Sequence, residues 1–365
     1  MLNNVLHINS YYLTNKVHYF FCVFSGVDNA SYFIPVYKNG VNVHTEALKH
    51  GQKVHRIYSN VDKRLFFTKI VKCCWVAVRN YNIGKHQYIH AHTLFSDGLP
   101  AWVLAGLYRK KLMITIRNTD INFYIRRSPL FRLLGKFVLS SARQLFVPSH
   151  AYAKHLVEIY PFLERKGSLK VLRNGVAPFW IENAFHRPSP IGRGPVKLLF
   201  VGRVEKDKNL QVLIRYLQYY TIGNGITLHI VGENRQGLDF DAIQDLVQGN
   251  SIVYHGKVTD ENVLLDIYRS CDVFTLLSFR ETFGISYVEA MTQSLPIIYS
   301  RGEGIDGFFS NGHVGYACAV DDIHELHEVL NRVVENYEVL SKNARAESQH
   351  FNWESIITEY KSSLC

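Results

Sequence analysis

The feature that most constrains the fold is a repeated pairing of short apolar runs with amphipathic segments. The runs are rich in β-branched and aromatic residues, and many end at glycine or polar side chains; an amphipathic segment follows most of them. Val196–Val201, for example, precedes Gly202 and a helix that we expect to reach about Tyr219. Alternation of this kind is typical of βα units. It predicts an α/β protein with parallel sheets covered by helices.

A stretch rich in turn residues divides these units into two series. Asn174-Gly175 is followed by Pro178, and Arg187–Pro195 is rich in proline and glycine. The chain has 365 residues, which exceeds the ~250–300 that one core usually serves. We therefore expect two Rossmann-like domains facing a central cleft. The predicted boundaries are 1–175 for the first domain, 176–195 for a linker, 196–345 for the second domain and 346–365 for a C-terminal helix that can cross back to the first.

Local patterns in the first half predict specific elements and one unusual segment. Strands are predicted at Val5–Ile8, Phe20–Phe24, Gln52–Tyr58, Tyr88–His92 and Leu112–Ile116. Residues 66–78 predict a helix whose apolar face carries Ile70, Val71, Cys74, Trp75 and Val78. Residues 120–143 have the composition of a basic amphipathic helix. Its apolar face can pack on the sheet with its charges in solvent, it can contact an anionic bilayer, or both can hold on different faces.

The net charge of +10 is distributed unevenly along the chain. Residues 1–172 contain 24 Lys and Arg but only 7 Asp and Glu, whereas the remainder is acidic. A basic half is compatible with nucleic acid, an anionic membrane surface or a polyanionic ligand. Nucleic acid is disfavoured because no known reader motif is present. No apolar run is long enough for a membrane span, no basic leader precedes the first strand, and we expect a cytosolic protein with reduced cysteines.

The candidate chemistry lies mainly in the second half. A predicted strand at 272–277 leads through a loop holding Glu281 into a helix holding Glu289. The backbone amides of Phe283, Gly284 and Ile285 are expected at the helix start, where free N–H groups and the helix dipole favour an anion. Carboxylates suit sugar hydroxyls and amides suit phosphate oxygens. Arg203 and Lys208, in the loop after another strand, add the cations of a phosphate site.

In this order, the motifs of the second half resemble retaining glycosyltransferases of the GT-B fold and of the family 4 kind. The matching residues are Val201-Gly202-Arg203, Lys208-Asn209, Val231-Gly232, His255-Gly256, Ser278, the pair Glu281 and Glu289 with Phe283-Gly284, Glu289-Ala290-Met291 and Leu295-Pro296. The first half is similar to the acceptor domain of that family more loosely, through His90-Ala91-His92 and 115–120.

The resemblance implies a role for each matching residue. Arg203 and Lys208 would contact the donor diphosphate, Glu289 the ribose and Glu281 the transferred sugar. His92 would reach the donor sugar, and catalysis would involve His92, Glu281, Arg203 and Lys208. The remaining donor-site residues would be Gly202, Gly232, Phe283, Gly284 and Ile285. The acceptor or membrane side would include Arg117, Asp120, Arg126, Arg127, Arg132 and Lys136. Arg117 could serve an anionic acceptor or pair with Asp120. No metal or other cofactor is expected.

The expected function is transfer of a sugar, with retention of configuration, from a nucleotide-diphosphate sugar. The expected acceptor is a lipid-linked saccharide in the synthesis of a bacterial surface polysaccharide such as O-antigen, capsule or lipopolysaccharide. This reaction would place the protein in the cytoplasm, peripherally at the inner face of the cell membrane. The alternatives are a sugar-nucleotide epimerase of GT-B architecture and a nucleotide-sugar binding protein without catalysis.

Overall fold

The computed structural model describes residues 4–25, 30–39, 52–186, 194–247 and 249–364. The chain forms two compact units. Unit 1 comprises Met1–Pro148, Tyr152–Ala177 and Trp353–Cys365, and unit 2 comprises Ser149–Ala151 and Pro178–Asn352. No helix in the described residues is both long enough and apolar enough to cross a membrane.

Unit 1 is built on a parallel sheet of seven strands. The strands are β1 Val5–Ile8, β2 Ser31–Tyr37, β3 Gln52–Tyr58, β4 Tyr88–Ala91, β5 Lys111–Thr115, β6 Gln144–Val147 and β7 Leu169–Val171. They lie in the order β3-β2-β1-β4-β5-β6-β7. The order reverses between β1 and β4, and the carboxyl ends of strands at such a point are the usual ligand site of open α/β sheets.

Helices cover this sheet. They are α1 Lys16–Ser25, α2 Val61–Arg64, α3 Phe66–Asn80, α4 Gly98–Tyr108, α5 Pro129–Ser141, α6 His150–Ile159 and α7 Phe162–Lys166, with a π-helix at Asp120–Ile125. The core between the layers is formed by side chains such as Leu6, Ile89, Leu104 and Ile114, which are almost fully buried.

Unit 2 is built on a parallel sheet of six strands in the order β10-β9-β8-β11-β12-β13. The strands are β8 Val196–Val201, β9 Ile226–Val231, β10 Ser251–Tyr254, β11 Val273–Leu276, β12 Ile297–Ser300 and β13 Gly315–Cys318. The helices are α8 Pro178–Glu182, α9 Leu210–Tyr219, α10 Phe240–Gln244, α11 Glu261–Ser270, α12 Ile285–Thr292, α13 Ile323–Glu335 and α14 Tyr337–Ser348. This order also reverses beside its first strand, between β8 and β11.

The last helix, α15 Trp353–Ser362, belongs to unit 1. Its Tyr360 hydroxyl bonds the Nδ1 of His90 at 2.9 Å, and the Tyr88 hydroxyl donates to the carbonyl of Leu364 at 2.7 Å. The part of the predicted linker at 176–195 that is described includes a helix, α8, because Pro178 suits a first helical turn. Residues 187–193 of that linker lie outside the described residues.

Three local predictions from the sequence are wrong. Residues 20–24 lie in helix α1 rather than in a strand, since the buried side chains Val17, Phe21 and Cys22 follow helical spacing. The apolar face assigned to α3 is largely exposed at Val71 and Trp75, and the buried side chains are Cys73, Val76 and Ala77.

The third concerns residues 120–143, which do not form one continuous helix. The π-helix Asp120–Ile125 ends before Ser128, which caps a new helix, α5. Pro129 occupies the first position of α5, where a missing N–H costs nothing.

Candidate active site

The loops that follow β8 and β11 meet at the point where the strand order of unit 2 reverses. The amide of Phe279 donates to the carbonyl of Asp207 at 2.9 Å. The side-chain amide of Asn209 donates to the carbonyl of Leu277 at 3.0 Å. These bonds fix the two loops relative to each other. They create the setting in which ligands bind to open α/β sheets.

An ion pair joins the two loops. The Nζ of Lys208 lies 2.5 Å from the Oε2 of Glu281, and the side chains are only 19% and 10% exposed. The other carboxylate oxygen of Glu281 accepts from the amide of Thr282 at 3.1 Å. Charge-assisted bonds of this kind are short and strong. They hold the ammonium of Lys208 beside the carboxylate of Glu281. The first was predicted to contact the diphosphate and the second the sugar.

The acidic side chain of Glu303 supports the loop that carries Glu281. Glu303 accepts from the amide of Glu281 at 2.9 Å, and the amide of Gly304 donates to the carbonyl of Glu281 at 2.8 Å. A Cβ at Gly304 would lie 2.8 Å from the Cγ of Glu281. Glu303 was not among the site residues predicted from the sequence. Its position in the loop after β12, the strand next to β11 in the sheet, could have identified it.

The start of α12 presents backbone donors. Within the described residues, the amides of Phe283, Gly284 and Ile285 donate no hydrogen bond. Gly284 has a φ of 80°, and a Cβ there would lie 2.4 Å from the ring of Tyr287. The Phe283 side chain is 2% exposed and packs against other aromatic rings of unit 2. Phe283 can therefore offer a ligand its backbone but not its ring.

Glu289 lies on α12 and is positioned by a buried tyrosine. The hydroxyl of Tyr268 donates to the Oε2 of Glu289 at 3.0 Å. The Tyr268 ring packs edge-on against Trp180 with ring centroids 5.1 Å apart. Burial and the carboxylate both raise the pKa of Tyr268, so its hydroxyl remains a donor at neutral pH. Sequence reasoning missed Tyr268, which lies on α11, far from Glu289 along the chain.

Arg203, Gly202 and Gly232, which were also predicted for the donor site, have different surroundings. The guanidinium of Arg203 pairs with Glu205 at 2.9 Å, and its side chain is 54% exposed. Arg203 is therefore near the loop surface and takes no part in the Lys208–Glu281 ion pair, which is only partly exposed. A Cβ at Gly232 would lie 1.9 Å from the carbonyl oxygen of Gly202. The glycine at 232 thus allows the loops after β8 and β9 to touch.

In unit 1, His92 belongs to a buried histidine cluster. Its Nε2 lies 3.1 Å from the Nδ1 of His7, while its Nδ1 has no hydrogen-bond partner among the described residues. The ligand atoms of His7, His90 and His92 lie within 4.8 Å of one another, so they could hold a metal ion. However, both ring nitrogens of His90 already bond hydroxyls, those of Tyr360 and Thr115. Burial lowers the pKa of His92 well below its usual value and keeps it neutral.

Arg117 and Asp120 lie after strand β5 and are linked to each other through the backbone. The carboxylate of Asp120 accepts from the amide of Arg117 at 2.8 Å and from that of Leu94 at 3.0 Å. The guanidinium of Arg117 donates to the Oδ1 of Asn174 at 2.8 Å. Burial raises the pKa of Asp120 to about 6. Asp120 therefore shapes the loop after β5, while the Arg117 side chain turns towards Asn174.

The four remaining basic residues predicted for the acceptor or membrane side lie on the π-helix–α5 surface. Arg126, Arg127, Arg132 and Lys136 are all exposed. Between them, large apolar side chains are about half exposed: Phe123 52%, Leu130 52%, Leu133 53% and Phe137 53%. Cations and apolar groups thus share one surface of unit 1.

The model of one family matches this chain. Residues 182–349 match the family described as glycosyl transferases group 1. The chain carries a glycosyl transferases group 1 domain. That domain contains Arg203, Lys208, Glu281 and Glu289, and it coincides with most of unit 2.

Two of the proteins that match this chain by sequence have assigned names. Glycogen synthase of Mycobacterium tuberculosis is 26% identical over 290 residues, which cover 76% of this chain and 66% of that protein. Alpha-monoglucosyldiacylglycerol synthase of Acholeplasma laidlawii is 25% identical over 301 residues, which cover 75% of this chain and 74% of that protein.

A solved structure extends the likeness to nearly the whole chain. HepE of Anabaena, solved with UDP, superposes with a TM-score of 0.72 at 19% identity and covers 99% of both chains. The fold is therefore GT-B, and the prediction of that fold is confirmed.

Proposed function

We propose that this group 1 domain binds a nucleotide-diphosphate sugar and that the protein transfers the sugar to an acceptor. The observation that carries the proposal is the Lys208–Glu281 ion pair beside the free amides of α12. A cation and backbone donors suit a diphosphate, and an adjacent carboxylate suits sugar hydroxyls. HepE, which has the same fold, was solved with UDP, and this supports a nucleoside diphosphate as the ligand of unit 2.

In the proposed reaction, the bond between the anomeric carbon and the diphosphate oxygen breaks as the acceptor oxygen bonds to that carbon. The departing phosphate takes the acceptor proton on the same face, so the configuration is retained. Lys208 and the amides of α12 stabilise the negative charge that develops on the diphosphate. Arg203 would join them when a ligand is bound. His92 of unit 1 would contact the donor sugar. These protein groups supply the positive charge without a metal.

A panel of nucleotides and nucleotide sugars tests the proposal by thermal denaturation. A ligand that binds only the folded state raises its stability. We expect a nucleoside diphosphate and its sugar derivatives to raise the melting temperature more than the matching monophosphate does. Product analysis then separates transfer from its alternatives: an epimerase converts the nucleotide sugar without an acceptor, and a binding protein leaves it unchanged. No stabilisation by any nucleotide would contradict the proposal.

The two carboxylates should contribute differently to nucleotide binding. Glu289→Gln should weaken the affinity for the free nucleoside diphosphate by about tenfold, since it loses a charged bond to the ribose. Glu281→Gln should leave that affinity within about twofold and instead weaken the affinity for the complete nucleotide sugar. Isothermal titration calorimetry with both ligands measures this division. Equal losses of affinity in the two variants would mean that the carboxylates have no separate roles in binding the ribose and the sugar.

We further propose a lipid-linked saccharide as the acceptor, used by a cytoplasmic protein held peripherally at the inner face of the cell membrane. The mixed basic and apolar surface of the π-helix and α5 supports this proposal. Beside it lies a cavity of about 440 Å³ lined by Arg132, Lys136 and apolar side chains such as Leu133 and Phe162. The relative from Acholeplasma laidlawii is a glucosyldiacylglycerol synthase by name. With a lipid-linked saccharide as acceptor, the reaction would belong to the synthesis of a bacterial surface polysaccharide.

Charge removal on this surface should weaken binding to anionic vesicles. The double variant Arg132→Gln/Lys136→Gln should bind roughly 30-fold more weakly, at about 1 kcal/mol for each cation. Sedimentation with vesicles of phosphatidylglycerol and phosphatidylcholine across a salt series measures the partition coefficient. The matched control Lys342→Gln/Arg345→Gln removes the same charge from unit 2 and should bind like the wild type. No binding by the wild type at low salt would exclude the membrane contact.

A further inference from the structure

The cavity of about 440 Å³ beside α5 is a groove that combines apolar side chains with two cations. It lies between α5 and the junction of α6 with α7, and we call it the α5–α7 groove. All of its lining side chains except the two cations are apolar or aromatic. The lining consists of Pro129, Arg132, Leu133, Lys136, Ile159, Tyr160, Pro161 and Phe162.

The two sides of the groove are held together by a close contact. The hydroxyl of Tyr160 donates to the carbonyl of Arg132 at 2.7 Å. Gly135 makes this approach possible, since a Cβ there would lie 2.8 Å from that hydroxyl. Pro129 begins α5 and Pro161 precedes α7, and proline restricts the backbone at both positions. The groove is therefore fixed by the backbone of unit 1 and not only by the side chains at its rim.

The two cations of the groove have no carboxylate partner. Arg132 and Lys136 lie about one helical turn apart on α5, and both line the groove. Neither takes part in the ion pairs found in the part of the chain that the structure describes. Glu158 and Glu164, on α6 and α7, are exposed and lie outside the lining. An anion in the groove would therefore meet two cations that no carboxylate neutralises.

The volume of the groove limits how much hydrocarbon it can take. A cavity of ~150 Å³ holds one benzene ring, so the groove has room for roughly one chain of 10–20 carbons and not for two. Leu133 is 53% exposed, and Ile159 and Phe162 are partly exposed. A chain that lies on these side chains would remove their apolar surface from water.

We propose that the α5–α7 groove binds a lipid that has one hydrocarbon chain and a phosphate headgroup. The chain lies along Leu133, Ile159 and Phe162, and the phosphate bonds Arg132 and Lys136. The inference rests on the proposed function in one respect: the bound lipid is then the lipid part of the acceptor. It goes further because it assigns a site for one lipid molecule, separate from the general contact of the π-helix–α5 surface with a bilayer.

Soluble amphiphiles, each below its critical micelle concentration, test the inference on the full chain without a membrane or a transfer reaction. The probes are dodecyl phosphate, hexyl phosphate, dodecyl maltoside and dioctanoyl phosphatidylglycerol, titrated by isothermal titration calorimetry. We expect one dodecyl phosphate to bind per chain, about 30-fold or more tightly than hexyl phosphate, because the longer chain buries more apolar surface. It should bind about 10–100-fold more tightly than the neutral maltoside, which makes no charged hydrogen bond.

The phosphatidylglycerol probe separates the two sources of a lipid phosphate. A bilayer phospholipid has two chains, whereas the groove has room for one. We therefore expect dioctanoyl phosphatidylglycerol to bind more weakly than dodecyl phosphate. If it binds as tightly or more tightly, the groove serves a bilayer lipid and the inference is overturned.

A pair of double variants tests the phosphate contact. Arg132→Gln/Lys136→Gln should abolish the preference for dodecyl phosphate over dodecyl maltoside. The control Arg126→Gln/Arg127→Gln removes two exposed cations of the same surface that do not line the groove. It should bind both amphiphiles like the wild type. A preference that survives in the first variant, or that is lost equally in both, contradicts the assigned phosphate site.

A pair of single variants tests the chain contact. Leu133→Gln should weaken the binding of both dodecyl amphiphiles by about 3–10-fold. Leu130→Gln is the matched control, since Leu130 is 52% exposed on the same helix but does not line the groove. Neither side chain is buried, so both variants should fold. Equal weakening in the two variants would mean that the chain adsorbs to the surface and not in the groove.

The outcomes separate this inference from the proposed function. Stabilisation by nucleotides reports on unit 2 and does not depend on the groove. If no amphiphile binds, or if dodecyl maltoside binds as tightly as dodecyl phosphate, the inference is overturned even when nucleotides still stabilise the protein. If dodecyl phosphate binds as expected but no nucleotide does, the groove stands as a lipid phosphate site and the transferase proposal fails.

Discussion

Replacing Lys208 with alanine should lower the rate of sugar transfer by about 10²–10³-fold, the usual cost of removing one donor that stabilises transition-state charge. The ammonium of Lys208 lies 2.5 Å from the carboxylate of Glu281, and both side chains have little exposure to solvent. In a poorly hydrated setting its charge acts strongly on the leaving diphosphate. The measurement is initial-rate kinetics with a fixed acceptor. We expect most of the loss in kcat, because the negative charge grows as the diphosphate leaves.

The control for this change is Lys206→Ala. Lys206 lies on the same turn before α9 but is exposed, and no ion pair is found for it among the described residues. It should retain near-normal turnover. The alanine at 208 also leaves the Glu281 carboxylate unpaired, so the melting temperature of both variants has to be compared with that of the wild type. Near-normal turnover of a folded Lys208→Ala protein would remove this lysine from the mechanism.

The second large effect is expected at Gly232. Its φ is 149°, and a Cβ would lie 1.9 Å from the carbonyl oxygen of Gly202, a distance that no side-chain rotation can relieve. Gly232→Ala should therefore destabilise unit 2 by about 3 kcal/mol or more, because the loops after β8 and β9 must separate. For a unit of this size, the corresponding fall in melting temperature is roughly 6–12 °C. Nucleotide binding should fall as well, since the displaced loop after β8 carries Arg203 and Lys208.

Gly256 is the control that separates the steric clash at Gly232 from the backbone strain. It also has a left-handed backbone, with a φ of 69°, but a Cβ there would meet no atom within 4 Å. Gly256→Ala should cost only the backbone strain, about 1–2 kcal/mol. Thermal unfolding of both variants, followed by circular dichroism, gives the difference. If the two substitutions cost the same, the contact between the two loops is not what requires glycine at 232.

The fold and the residues proposed for the donor site were both predicted from short-range patterns in the sequence. Each strand of unit 2 that was predicted is a compact apolar run. Lys208 and Glu281 lie in the loops after two of these runs, and Glu289 lies on the helix that follows the second. The pairing of Lys208 with Glu281 could not be read from the sequence, because it depends on which strands are neighbours. β8 and β11 are adjacent although two strands lie between them in the chain. The contact of Tyr268 with Glu289 was missed for the same reason, whereas Glu303 follows a predicted strand and could have been identified.

The errors in unit 1 have a different cause. Residues 20–24 form an unbroken apolar run, and such a run is compatible with either a buried helix or a strand. In α3 the apolar side chains surround the helix, so periodicity alone could not decide which of them face the core. Trp75 stays 56% exposed, with the guanidinium of Arg79 3.9 Å from its ring centroid. In residues 120–143, the composition suggested one continuous helix, although Ser128-Pro129 is a typical start of a new helix.

The assignment of α15 to unit 1 has a consequence for the way the chain is made. Unit 2 is one continuous stretch apart from Ser149–Ala151, whereas unit 1 is completed by residues that leave the ribosome after all of unit 2. Domains fold as units during synthesis when all their parts are available. Unit 2 can therefore fold while unit 1 still lacks the helix that carries Tyr360. Until that helix emerges, the histidine cluster around His90 remains incomplete and the first sheet has one face less covered.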